Sequence, residues 1–133
     1  MRLLQKHRKR FVSALSFFLL YYKWFLYAVF DLLINSPFLI IVNAIRYSSG
    51  SIKIDLKQGK EKSAIFIIEN PIDSKVEIDP NRLFERFYTG DKSRHNSGTG
   101  VGLAVVKLLT DKLGGNVFAK IENDTLTISL EIK

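Results

Sequence analysis

The chain has 133 residues and no cysteine, which is enough for one domain with a core and excludes disulfides and thiolate-held metals. A net charge of +7 suggests a nucleic-acid binder, yet Arg2, Lys6, Arg8, Lys9 and Arg10 supply five of those charges, so the basicity is a terminal cluster. No aromatic-plus-basic stripe of the kind that holds single-stranded nucleic acid is present, and a basic cluster beside apolar residues suits anionic lipid headgroups better.

From Phe11 to Val42 the chain is almost continuously apolar and aromatic, interrupted chiefly by Lys23 and Asp31. Phe11 to Phe30 reaches the roughly 20 residues a membrane helix needs, if Lys23 snorkels. No small-residue cleavage site follows, which argues against a signal peptide. A single crossing with the basic end in the cytoplasm would put the rest of the chain outside. The stretch is therefore a helix at the membrane interface, a piece of soluble core, or a span that breaks the orientation rule. Ser36 followed by Pro37 is a helix-start signal, and it predicts a break near Ser36 with a new helix from Pro37 to about Ser48. The predicted division is a basic, apolar helical segment at 1–36 and a folded domain at 37–133.

Ser51 to Leu56 and Ser63 to Glu69 are rich in β-branched and apolar residues. Separated by Lys57, Gln58, Gly59 and Lys60, they read as paired strands. A helix is expected after Gly102, ended by Gly114 and Gly115, and Asn116 to Ile121 and Thr125 to Ile132 form a second hairpin about Asn123 and Asp124.

Gly98, Gly100 and Gly102 precede an apolar helical run. Glycines there allow positive φ and close backbone approach, and the free N–H groups of a helix start suit an anion. Taken alone, they read equally well as a Gly-rich surface loop. They lack the spacing after a strand that marks a dinucleotide fingerprint, and the Lys-Ser/Thr ending of a P-loop.

Three motifs in order, NAIRYS from Asn43, LFERFY from Leu83 and GTGVGLAVV from Gly98, resemble the N box, F box and second glycine box of the ATP-binding catalytic domain of sensor histidine kinases. The resemblance covers roughly residues 37 to 133. It implies the Bergerat ATP-binding fold: an α+β, two-layer α/β sandwich with a mixed, mostly antiparallel sheet and helices on one face, here preceded by an apolar N-terminal helix. Trp24 to Asn35 is itself similar to the stretch that leads into the family's N box, with Ser36 and Pro37 intervening.

The resemblance also implies the site. Asn43 would ligate the Mg²⁺ that bridges ATP phosphates, Arg46 would neutralise phosphate charge and Tyr47 would pack on adenine. Lys92 and Arg94 fall in the segment matching the ATP lid, with phosphate binding as their role; a solvated charge run is the competing reading. Gly98, Thr99, Gly100, Val101, Gly102 and Leu103 would cradle phosphate, while Phe84 and Phe87 would pack the base of the lid. Adenine recognition would fall to Glu69 or Asn70.

Departures from the pattern concern adenine and chemistry. IIENPIDSK replaces the first glycine box, with Pro71 where a glycine is expected, and Leu39 stands where the N box has a polar residue. His7 and His95 are the only histidines, and neither has the context of the family's acceptor. The implied function is an Mg-ATP-binding kinase domain in two-component signalling, phosphorylating a histidine on a dimerisation domain of another chain that would in turn serve a response regulator. It would act in the cytoplasm, with residues 11–35 as a candidate membrane attachment. The alternatives are a non-catalytic relative or gene remnant acting as a membrane-proximal interaction module, and a small basic membrane protein with chance motifs.

Overall fold

The computed structural model describes residues 2–90 and 99–133, with side chains described for all of these except 2–13, 28–29 and 31–33. The chain divides into two compact units, Met1–Leu33 and Ile34–Lys133. Helix α1 spans Arg2–Tyr47. Strands β1 (Lys53–Gln58) and β2 (Ala64–Pro71) follow, then helix α2 (Gly102–Lys112) and strands β3 (Asn116–Glu122) and β4 (Thr125–Ile132).

The expected break at Ser36 does not occur, and Pro37 lies inside α1. Proline's fixed φ is helical; what it costs is one backbone hydrogen bond and crowding of the carbonyl four residues back. Ile40 and Ala44, one turn apart, are buried in the core, so this helix face packs against the sheet, whereas the Ser36 hydroxyl one turn earlier is buried without a hydrogen-bond partner among the described residues. Burial of Ile40 and Ala44 outweighs the local start signal.

The four strands form one sheet in the order β1-β2-β4-β3, and all three pairings are antiparallel. No parallel pair occurs among the described residues. β1 begins two residues later and ends two later than expected, so the turn occupies Gly59 to Ser63, closed by the Gly59 N–H donating to the Ser63 carbonyl at 2.8 Å. The second hairpin turns at Asn123 and Asp124, both at positive φ (50° and 56°), the conformation of a tight two-residue loop whose twist matches the strands.

Alternation along the strands gives the sheet two faces. Ile68, Asn70, Val117, Leu126, Ile128 and Leu130 are buried on one, and Ile40 and Ala44 of α1 with Leu103 and Val106 of α2 complete the core over it. The other face carries Lys53, Asp55, Lys57 and Glu69, with Lys53 Nζ 3.4 Å from the Glu69 carboxylate. This is the two-layer sandwich that the sequence predicts. Helix α2 ends as expected: the Gly114 N–H donates to Asp111 and the Gly115 N–H to Thr110, with Gly114 at φ +67°, a left-handed cap in which two terminal carbonyls gain partners.

Candidate functional site

A cavity of about 330 Å³ opens in the second unit, between the end of α1 and the start of α2. That volume falls at the lower end of the range for small-molecule sites. Asn43, Arg46 and Tyr47 come to it because they follow Leu39 and Val42 on the helix flank next to the buried Ile40–Ala44 face. From the other side come Thr99, Gly100, Gly102 and Leu103. Residues more than fifty positions apart in sequence thus line one space.

Helix α2 meets this cavity with its N-terminus. Val101 occupies the cap position and its side chain makes no capping hydrogen bond, while Gly102 and Leu103 line the cavity. First-turn N–H groups without a side-chain cap, at the positive end of an 11-residue helix, favour an anion. The two described glycines of the GTGVG motif differ in what demands them. Gly100 has φ +67°, and a Cβ there would fall 2.8 Å from the backbone of Phe87 and 2.9 Å from the Tyr88 carbonyl oxygen. Gly102 would meet no atom within 4 Å, so the fold itself leaves room for a side chain. Positive φ and close approach therefore hold at Gly100 and not at Gly102.

The LFERFY segment forms the adjoining wall. The Phe87 N–H donates to the Gly100 carbonyl at 3.0 Å, which ties the two motifs backbone to backbone. Phe84 packs against the core. The Phe87 side chain is 75% exposed, so the expectation that its ring packs the lid's base is corrected: its main chain at φ 64° makes the contact. Tyr88 lines the cavity; its hydroxyl accepts the Asp79 N–H at 2.7 Å, and the Arg82 guanidinium lies 4.8 Å from its ring centre. Arg82 is paired with Glu85 at 3.0 Å, and the Glu85 hydrogen bond and charge raise its already high pKa.

The expected adenine residues separate. Glu69 points to the opposite sheet face with Lys53 and is not among the cavity-lining residues. Strand parity is the reason, since Ile68 and Asn70 are buried on the helix-facing side and their neighbour must face away. Asn70 is 1% exposed, and neither its Oδ1 nor its Nδ2 has a hydrogen-bond partner among the described residues. It pairs across the sheet with Leu126, itself part of the cavity wall, so the unsatisfied amide sits just behind that wall. A buried amide without a partner costs about 1–3 kcal/mol and is a group that a ligand or ordered water satisfies.

Among the remaining expected residues, Val101 occupies the cap position of α2 without lining the cavity. Lys92, Arg94, His95 and Gly98 lie outside the described residues; Gly90 and Thr99, which flank that segment, both line the cavity. Sequence reasoning missed Asp73, a carboxylate on the wall, as well as Ile72, Val76 and Ile78. Asp73 lies two residues beyond the end of β2, where strand parity no longer applies: counting from Ile68 selects Asn70 and Ile72, and no sequence signal marks Asp73. Leu39 also lines the cavity, so an apolar side chain occupies the position where a polar one was expected. No group of three or more His, Cys, Asp or Glu side chains that could hold a metal occurs among the described residues.

Known proteins resemble this chain in sequence and fold. The chain is 36% identical over 77 residues to the sensor histidine kinase HprS of Escherichia coli, covering 58% of this chain and 17% of HprS. The histidine kinase AdeS of Acinetobacter baumannii superposes with a TM-score of 0.59 at 26% identity, over 77% of this chain and 46% of that one. Full-length ShkA, solved in complex with AMPPNP, shares the fold with a TM-score of 0.63 at 21% identity, over 77% of this chain and 21% of its own. The chain thus spans under a fifth of HprS and less than half of the AdeS structure. Residues 39–133 match the family described as histidine kinase-, DNA gyrase B- and HSP90-like ATPases, and with the motifs gathered about one cavity, the chain belongs to that family as a histidine kinase-type ATPase domain.

Proposed function

We propose that residues 39–133 bind Mg-ATP and transfer its γ-phosphoryl group to a histidine carried by the dimerisation domain of another polypeptide, as one step in two-component signalling through a response regulator. The observation that carries this reading is the cavity in which Asn43, Arg46 and Tyr47 of α1 face the uncapped start of α2. The triphosphate would lie along Thr99, Gly100, Gly102 and Leu103, with Arg46 opposing its charge. Adenine would enter toward Ile72, Ile78 and Leu126, with Tyr47 beside it and polar contacts available from Asp73 and from the Asn70 amide. Lys92, Arg94 and Gly98 belong to the same proposal as phosphate-binding residues of the connecting segment. The AMPPNP held by ShkA supports a nucleotide ligand for this fold.

Asn43 is the metal-binding candidate on α1. Its amide oxygen together with phosphate oxygens is a hard-ligand set of the kind Mg²⁺ takes. When bound, the ion would neutralise charge on the β- and γ-phosphates. The protein's part is positioning and charge neutralisation: as the imidazole nitrogen's lone pair forms the N–P bond, the bridging P–O bond breaks and its electron pair leaves with ADP. Leu39 can neither ligate metal nor take a proton, so the nucleophile would have to be oriented by some other group. That same leucine favours a second reading, a relative that binds nucleotide without transferring it. ATP as substrate would place the domain in the cytoplasm.

Calorimetric titration with a non-hydrolysable ATP analogue, with and without Mg²⁺, tests the site. Mg-dependent binding that loses its Mg dependence in Asn43→Ala supports it. Absence of binding by the folded protein overturns it. Phosphorylation of a histidine-bearing dimerisation domain supplied in trans then separates the kinase reading from the binding-only one.

A further inference from the structure

Residues 14–27 of the first unit form a helical stretch whose side chains are all exposed. Leu15, Phe17, Phe18, Leu19, Leu20, Tyr21, Tyr22, Trp24, Phe25, Leu26 and Tyr27 are each at least 49% accessible. Free water around so many large apolar side chains is unfavourable by about 25 cal/mol for every Å² left uncovered, and an apolar patch of this extent marks a surface that meets another phase or partner. The charged and hydroxyl-bearing residues are few: Ser16, Lys23 and Tyr27 lie within about 40° of one another on a helical projection at 3.6 residues per turn, Tyr21 and Tyr22 fall elsewhere around the helix, and Lys23 Nζ sits 5.9 Å from the Tyr27 ring centre.

We propose that this helix lies in the plane of a bilayer surface, and that the occupant of its apolar face is a leaflet containing anionic phospholipid. Charge complementarity selects that occupant: five Lys or Arg residues fall within the first ten positions, and no acidic residue occurs before Asp31. Each such cation near an anionic leaflet strengthens binding about fivefold. The aromatic content sets the depth. Tyr21, Tyr22, Trp24 and Tyr27 fall within seven residues, and rings with a polar handle favour the headgroup level over the hydrocarbon centre. No helix among the described residues is long and apolar enough to cross a membrane, which agrees with a helix on the surface. The narrow Ser16–Lys23–Tyr27 stripe faces headgroups and water, and the rest enters the acyl boundary. Such a helix makes no crossing, so the conflict between a basic N-terminus and an ATP-dependent domain disappears.

Trp24 is the only tryptophan in the chain and is 74% exposed, so its fluorescence reports this helix alone. The full-length chain is titrated with vesicles of phosphatidylcholine and with vesicles containing phosphatidylserine, with flotation as a second readout. The expected result is a shift of Trp24 emission to shorter wavelength with the anionic vesicles only. Raising salt, which shrinks the screening length from about 30 Å at 0.01 M to about 3 Å at 1 M, should reverse it. The triple variant Arg8→Gln, Lys9→Gln, Arg10→Gln should bind roughly a hundredfold more weakly. Equal binding to neutral vesicles overturns the proposal, as does a lack of response to either kind. So does Trp24 emission already shifted in buffer with concentration-dependent sedimentation, which would assign the face to a second copy of the chain. None of these readouts depends on nucleotide binding.

Discussion

Gly100 and Gly102 sit two residues apart in one motif, and alanine at each should fail for a different reason. At Gly100, φ is +67° and the new Cβ would stand 2.8 Å from the Phe87 backbone. The left-handed conformation costs a non-glycine residue about 1–2 kcal/mol, and the backbone overlap adds about 1–3 kcal/mol. A loss of about 2–5 kcal/mol is a large share of the 5–15 kcal/mol typical of a domain. For a unit of this size it should lower Tm by about 10 °C or more. At Gly102 a Cβ meets nothing within 4 Å, and at this first residue of α2 alanine favours the helix by at most the roughly 0.5–1 kcal/mol it gains in a helix interior. Gly102→Ala should therefore melt at or above the wild-type temperature. Because Gly102 lines the cavity, its methyl group should weaken binding of a non-hydrolysable ATP analogue at least tenfold, about 1.4 kcal/mol. Thermal denaturation followed by circular dichroism, together with calorimetric titration, reads both quantities. Wild-type stability in Gly100→Ala would refute the backbone geometry. Wild-type nucleotide affinity in Gly102→Ala would refute the start of α2 as the phosphate seat.

Asp73→Asn should leave the unfolding free energy within about 0.5 kcal/mol of wild type, as exposed substitutions do, and weaken nucleotide binding; unchanged affinity would remove Asp73 from the site. Asn70→Asp buries a carboxyl among apolar neighbours, and desolvation raises its folded-state pKa above the unfolded value. Its stability relative to wild type should be highest below about pH 4 and fall as pH rises through the folded pKa, by about 1.4 kcal/mol per unit. Melts of both proteins across that range test the sign, and a relative gain at neutral pH would contradict the burial of Asn70. Ile68→Ala, at a fully buried position, should cost about 2–5 kcal/mol in denaturant unfolding; a value under 1 kcal/mol would mean that the sheet face beneath α1 and α2 is not the core.

The sequence by itself determined what depends on neighbours along the chain. Both hairpins, the glycine cap of α2, the two-residue turn at Asn123 and Asp124 and the three motifs were legible because each follows from local conformation or from residue types at fixed spacing. Tertiary structure decided the rest. It carried α1 through Pro37, because burial of Ile40 and Ala44 on one face outweighs a start signal a few residues long. It separated Glu69 from Asn70 by sheet parity, which acquires a meaning only when one face is covered. It distinguished Gly100 from Gly102, since the Phe87 backbone that excludes a Cβ from the first comes from a segment 13 residues earlier. And it placed Asn43 and Gly102 on opposite sides of one cavity, a proximity no local rule contains, because the core packing of two helices on one sheet face creates it.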